Sequence, residues 1–221
     1  MTGREAKDLL YAQFSRLGKA VSNPKRIELL ELLAQTERSV DELAAASGVD
    51  FANTSAQLQV LSRARLVEGR RQGKRVIYRL ADESVTRFLA ALRELSRARL
   101  AEVEQVAREY FEARDHLEPV SSADLMRRLE DPGTLVIDVR PAEEYAAGHI
   151  PGALSVPLSE LKGRIAQFPS AAEIVAYCRG PYCVLAPQAI EILGRAGLRA
   201  RRLNEGFPEW RLAGLPVEAA G

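Results

Sequence analysis

At 221 residues, 47% of them apolar, the chain is long enough for two small domains that each bury a core. It has no run of about eighteen apolar residues, and residues 1–10 are charged rather than built like a signal peptide, which excludes a membrane span and implies a soluble, cytoplasmic protein. Net charge is only +1, and the two cysteines, Cys178 and Cys183, share one loop-like stretch, which excludes a disulfide-stapled scaffold and gives the thiols a chemical use.

Leu9, Leu10, Phe14, Leu17 and Val21 recur at three-and-four spacing and predict an amphipathic helix over 5–22. Asn23 followed by Pro24 reads as an N-cap with proline at the first helical position, opening a second helix through Ile27, Leu29, Leu30, Leu32 and Leu33. Ser39 and Glu42 form a capping box for a short third helix, ended by Ser47-Gly48. A fourth helix is expected over 51–65 with Thr54, Leu58 and Leu61 inward, so that third and fourth helices make a helix-turn-helix. Two β-prone runs within 66–80, around Gln72-Gly73, predict a hairpin wing. Val85, Phe88, Leu92, Leu95, Arg99, Val103, Val106 and Tyr110 step at close to 3.5 residues and predict one long helix over 83–114, a seam suited to homodimerisation.

Residues 116–122, with Pro119, read as a linker between a domain over 1–115 and another over 123–221. Beyond it, apolar runs at 135–139 and 173–178 have buried-strand length, and 185–196 reads as a helix. The expected fold is a mainly helical winged helix-turn-helix followed by a small α/β domain with a mainly parallel sheet.

Arg63, Arg65, Arg70, Arg71, Lys74, Arg75 and Arg79 are accompanied by a single acid, Glu68, a density of positive charge that favours a polyanion. Asn-Pro-Lys-Arg-Ile-Glu-Leu-Leu at 23–30, Asp-Glu-Leu-Ala at 41–44, Thr-Ser-Ala-Gln-Leu-Gln-Val-Leu at 54–61 and Gly-Lys-Arg-Val-Ile-Tyr in the wing resemble the ArsR/SmtB winged-helix repressors. That resemblance implies a homodimer that leaves operator DNA when a ligand, often a metal, binds. On the fourth helix the polar residues near its start that the core does not need, Asn53, Ser55 and Gln57, are expected to reach base edges or phosphates in the major groove, and Arg70, Arg71, Lys74 and Arg75 of the wing to contact phosphates or the minor groove. The metal-sensing residues of such repressors are not matched: the third helix has no cysteine and the last helix offers only Asp115 and His116, short of a tetrahedral set. No metal and no cofactor is expected, and sensing passes to the second domain.

Val-Ile-Asp-Val-Arg-Pro-Ala-Glu-Glu-Tyr at 136–145, Gly-His-Ile-Pro-Gly-Ala at 148–153, Ala-Tyr-Cys at 176–178 and Asn-Glu-Gly-Phe-Pro-Glu-Trp at 204–210 resemble a rhodanese domain. The resemblance makes Cys178 the sulfur-carrying residue, in a loop of Arg179, Gly180, Pro181, Tyr182 and Cys183. Backbone N–H groups and a helix N-terminus at that loop are expected to lower the Cys178 pKa and to cradle an anion or persulfide. Pro181 and Cys183 replace the usual glycine and arginine, removing an N–H donor and a bidentate anion partner, so thiosulfate turnover is not implied. A phosphatase loop is excluded because Val184 stands where its arginine belongs. Cys183 is either a resolving thiol for Cys178 or a second unpaired cysteine, and Asp138 and Arg140 are expected to form a charge pair.

The sequence therefore reads as a DNA-binding regulator, a repressor, whose rhodanese domain takes reactive sulfur on Cys178 from a sulfane-sulfur donor or another thiol-reactive small molecule. The rivals are a sulfurtransferase that passes sulfur to a thiol acceptor and a chemically silent interaction module.

Overall fold

The computed structural model describes residues 1–115 and 117–219; His116, the first residue of the expected linker, lies outside them. The chain divides into two compact units, Met1–Leu89 and Ala90–Gly221, with the division inside a helix.

In the first unit, α1 (Gly3–Val21) opens on a Thr2–Glu5 capping box, and α2 (Pro24–Leu33) is capped by the Asn23 side chain, which accepts from Lys25 N and Arg26 N. The two-residue strand β1 (Arg38–Ser39), too short to leave a sequence signal, leads into α3 (Val40–Ser47), where the Ser39–Glu42 capping box is formed and Gly48 closes the helix at φ 64°. Helix α4 (Phe51–Arg63) is capped by Asp50 and stops short of the expected Arg65, because Arg65 turns left-handed (φ 61°) and Leu66 N donates back to Leu61 O at 3.0 Å. Strands β2 (Val67–Gln72) and β3 (Arg75–Leu80) form the wing, turning on Gly73 at φ 61°, and β1 joins β3 to make an antiparallel sheet in the order β1-β3-β2. Helix α5 (Glu83–Arg99) sends Val85 and Leu89 into a core with Leu30, Leu43, Leu58 and Leu61.

The long helix expected over 83–114 is interrupted. Leu100 is extended (φ −113°, ψ 105°), α6 (Ala101–Val106) restarts, and Ala107–Phe111 and Glu112–Arg114 follow as a π-helical and a 3₁₀ turn. Tertiary contacts account for the break. Ala107 and Phe111 are buried, the Tyr110 hydroxyl accepts from Gln188 Nε2 at 3.4 Å, and Arg114 Nε lies 3.7 Å from Glu191. Tyr110, expected in an intermolecular seam, is thus packed within its own chain.

The second unit continues with α7 (Ser122–Arg128), β4 (Thr134–Asp138), α8 (Ala142–Ala147), β5 (Leu154–Ser155), α9 (Leu158–Arg164), β6 (Glu173–Tyr177), α10 (Leu185–Arg195), β7 (Ala200–Arg202) and α11 (Phe207–Leu212). Its four strands are all parallel, in the order β5-β4-β6-β7. Alternation splits β6 between two cores: Ile174 and Ala176 face one containing Ile190 and Leu193 of α10, while Val175 and Tyr177 face one containing Leu125, Phe207 and Trp210. Cys178 continues the first series and so emerges under the N-terminus of α10.

Candidate functional site

The loop after β6 folds back on itself, with Cys183 N donating to Gly180 O at 3.1 Å and Phe207 N to Cys178 O at 3.0 Å. Cys178 is buried and Cys183 half-buried; both thiols are free and hydrogen-bonded to one another. No side chain caps α10, so N–H groups at its start turn toward the sulfurs: Ala186 toward Cys178 and Leu185 toward Cys183. The Cys178 sulfur also lies 3.6 Å from Cys183 O and 3.9 Å from Gly180 O, contacts that suit a protonated thiol.

The resting charge is therefore placed differently from the sequence expectation. Burial, and then donation to Cys183, push the Cys178 thiol well above its ordinary value. The Cys178 hydrogen bond and the N–H groups of Leu185 and Arg179 bring Cys183 down to about 7, against burial. The cradle is present, and it favours an anion on Cys183 over one on Cys178. The first proton belongs to the pair, and the hydrogen bond between the sulfurs lets the charge move from one to the other.

Arg179 leans on Glu144 of α8, its Nε 3.0 Å from both carboxylate oxygens and its Nη2 2.6 Å from Oε1. Glu144 is fully buried, unlike its exposed neighbour Glu143. Asp138 and Arg140 form the expected charge pair, completely buried, with Nη2–Oδ2 at 2.6 Å; Arg140 Nη2 also donates to Gly148 O at 2.7 Å and its guanidinium lies over the Phe207 ring. This pair ties the end of β4 to the Gly148 turn. His149 stacks on Tyr145 and its Nδ1 lies 2.9 Å from Tyr145 O, a structural role. Tyr182 packs on Phe111, with ring centroids 5.7 Å apart. Asp115, at the end of the last helix, binds Arg202 at 2.9 Å, and no cluster of His, Cys, Asp or Glu suited to a metal occurs among the described residues.

On the first unit, Asn53 is exposed near the start of α4, and Ser55 is half-buried. Gln57 is less available than expected, because it accepts from Arg26 Nη1 at 2.8 Å and donates to Asn53 Oδ1 at 2.9 Å. Arg26 also donates to Lys19 O and Ala20 O, fastening α2 to the end of α1. Arg71, Lys74 and Arg75 are exposed at the wing tip, whereas Arg70 is held by Glu37 and Gln72. Sequence reasoning passes over Arg26, Glu144 and Gly206. All three sit inside motifs already singled out, but Gln57, Arg179 and Gly180, which they meet, are distant in sequence.

The sequence matches the rhodanese-like domain family over residues 121–213 and the HVO_A0114 family over 21–85. It is 44% identical to the HTH-type transcriptional regulator Rv0324 of Mycobacterium tuberculosis, across 97% of this chain and 94% of that protein. The chain belongs to the ArsR-type winged-helix regulators that carry a C-terminal rhodanese-like domain. This ArsR–rhodanese regulator is also 33% identical to a sulfurtransferase of Allochromatium vinosum, over 45% of the chain and 94% of that protein. Among solved structures it resembles the homodimeric winged helix-turn-helix DNA-binding domain Mb0332 of Mycobacterium bovis, a possible ArsR-family regulator, at 41% identity, covering 45% of this chain and 91% of that one with a TM-score of 0.41. Among the described residues no helix is long and apolar enough to cross a membrane.

Proposed function

We propose that this regulator works as a cytoplasmic homodimer, binds operator DNA through α4 and the wing, and changes its affinity when the Cys178–Cys183 pair takes up sulfane sulfur. The observation that carries the reading is the hydrogen-bonded pair of thiols held under the N-terminus of α10, with one ionising near neutral pH. The Cys178 proton passes to Cys183 within the pair, and the Cys178 thiolate attacks the outer sulfur of a persulfide or polysulfide donor, RS–SH; the donor S–S bond breaks, RS⁻ leaves and takes the proton from Cys183, and Cys178 becomes Cys–S–SH. The Cys183 thiolate then attacks the inner sulfur of that persulfide, forming a disulfide and releasing HS⁻.

Dimerisation is supported by α1, whose Leu9 (58%), Tyr11 (55%) and Phe14 (61%) are exposed along one helix. A route for coupling runs through Glu209: one carboxylate oxygen binds Arg93 of α5, the other accepts from Gly206 N, and Gly206 lies on the cysteine loop. Pro181 and Tyr182 border a cavity of about 270 Å³ with Arg93 and Glu209, leaving the loop room to rearrange.

Operator-fragment binding by fluorescence anisotropy, with and without polysulfide and without reducing agent, tests this reading. Polysulfide should shift the wild-type affinity and leave Cys178→Ser unmoved; DNA binding that ignores polysulfide in both proteins overturns it. The 33% identity to a sulfurtransferase favours a second reading, transfer of sulfur to a thiol acceptor, which predicts multiple turnovers with a small thiol.

A further inference from the structure

We propose that Glu144, which lies outside the cysteine loop, is a positioning residue of the sulfur site: its buried carboxylate clamps the Arg179 guanidinium beside the two sulfurs, where the cation favours an anionic sulfur. The inference rests on the Cys178–Cys183 pair being the reactive centre. A fully buried carboxylate is costly unless it is paired, and Glu144 is met by both Nε and Nη2 of Arg179 in a forked arrangement. Arg179 is the residue next to Cys178; its charge acts on both sulfurs and its backbone N–H faces Cys183.

The loop lacks the second arginine that a rhodanese-type loop would supply, since Cys183 stands in its place. Arg179 is then a cation whose charge is felt with both sulfurs, and it is anchored by a carboxylate on α8, outside the loop. Burial works against the Arg179 charge, but the hydrogen bonds to Glu144 and the charge of that carboxylate outweigh it, and the arginine stays protonated. Arg140, held by Asp138, is a second cation that feels the Glu144 charge, and the Arg179 charge is felt together with both sulfurs. A long arginine side chain without such a clamp would swing to solvent, where water screens its charge.

The clamp and a bare field effect predict opposite signs. Glu144 is negative, so if Arg179 stayed in place, loss of Glu144 would lower the thiol ionisation midpoint. If Glu144 positions Arg179, its loss frees the cation and raises the midpoint. The experiment follows the rate of iodoacetamide alkylation of the full chain against pH, with the labelled cysteine assigned by mass. It uses no sulfur donor and no DNA, so its outcome is independent of whether sulfur is sensed. Glu144→Gln and Arg179→Gln should each raise the midpoint by about one pH unit, the size expected for removing an opposite charge from the pair. The double variant should move it no further than either single one, and Arg179→Lys should restore part of the shift. Arg179 is partly exposed, so its variants stay informative even where Glu144→Gln weakens the fold. A midpoint that falls in Glu144→Gln, stays at the wild-type value in Arg179→Gln, or moves additively in the double variant overturns the proposal.

Discussion

Gly206 lies against the backbone of Gly180: a Cβ placed on Gly206 would sit 2.2 Å from Gly180 N and 2.5 Å from the Arg179 carbonyl carbon. Backbone cannot yield as a flexible side chain would, so glycine at 206 is required by close approach, with no unusual dihedral involved. The motif containing Phe207 and Trp210 is in this way a support for the cysteine loop. Gly206→Ala should destabilise the second unit by about 2–3 kcal/mol through overpacking, and displace the loop. Urea unfolding checks the first effect, and a changed ratio of Cys183 to Cys178 alkylation checks the second. Wild-type values for both would show that the loop and the motif separate without cost.

The Cys183 thiol, brought down to about 7, fixes the pH dependence of reactivity and stability. Its folded value lies below that of an ordinary cysteine, so between about pH 7 and 9 the folded protein holds fewer protons than the unfolded chain and stability rises with pH. Below pH 7 this contribution is lost. Above the ordinary thiol range the sign reverses, because the unfolded chain ionises at Cys178 while the folded one keeps that proton. Urea midpoints should therefore increase from pH 6.5 to 8.5 in wild type, and the increase should shrink in Cys183→Ser. An identical slope in the two proteins would place the low-pKa thiol elsewhere.

The buried pair of Asp138 and Arg140 behaves differently from the clamp at Glu144, since both partners are fully enclosed. Removing Asp138 alone leaves a guanidinium buried without its counter-ion, a change worth about 3–5 kcal/mol. Asp138→Ala should therefore unfold the second unit at a much lower denaturant concentration. The paired change Asp138→Leu with Arg140→Met should cost less than the single one, because no charge is stranded. A milder effect of Asp138→Ala than of the double change would mean that Arg140 escapes to water.

The parts of the fold that were legible in the sequence are those set by neighbours in the chain. Asn23-Pro24 and the Ser39–Glu42 box are capping signals confined to one turn, and the structure forms both. The run ending in Cys178 is apolar because β6 is buried on both faces, which periodicity alone reveals. The break at Leu100 left no such mark, since it arises from Phe111 and Tyr110 packing against residues far along the chain. Glu144, within the 136–145 motif, has nothing beside it in sequence to distinguish it from exposed Glu143; its partner lies 35 residues away. The placement of the resting anion on Cys183 depends on burial and on a hydrogen bond across the loop, neither of which a sequence motif specifies.

At the wing, some of the cations are already engaged by carboxylates. Arg70 binds Glu37 and Arg79 binds Glu68 at 2.5 Å, whereas Arg71, Lys74 and Arg75 stand exposed near the Gly73 turn. Each phosphate that the protein no longer neutralises should reduce the slope of log K against log salt by about 0.9. Replacing Lys74 and Arg75 with alanine should therefore flatten the slope by roughly 2 while leaving base preference intact. Unchanged salt dependence would remove the wing tip from the DNA interface.

The ion pair between Arg93 and Glu209 joins the support of the cysteine loop to α5. Both side chains are only 18% exposed, and Glu209 holds the helix start at Gly206 that backs the loop. Arg93 lies one turn beyond Leu89 on α5, and Leu89 belongs to the core that seats the winged helix. In the proposed coupling, a sulfur-driven shift of the loop is felt at Arg93 of α5 through Glu209. Allosteric couplings of this kind are commonly about 1–3 kcal/mol, or roughly 5- to 150-fold in affinity. Arg93→Gln should abolish most of the polysulfide effect on operator binding. Mass spectrometry should still find sulfur added to the cysteine pair, and affinity without polysulfide should stay within a few-fold of wild type. A full polysulfide response in Arg93→Gln would move the coupling to another route, and failure of the cysteines to react would show that Arg93 supports the site itself.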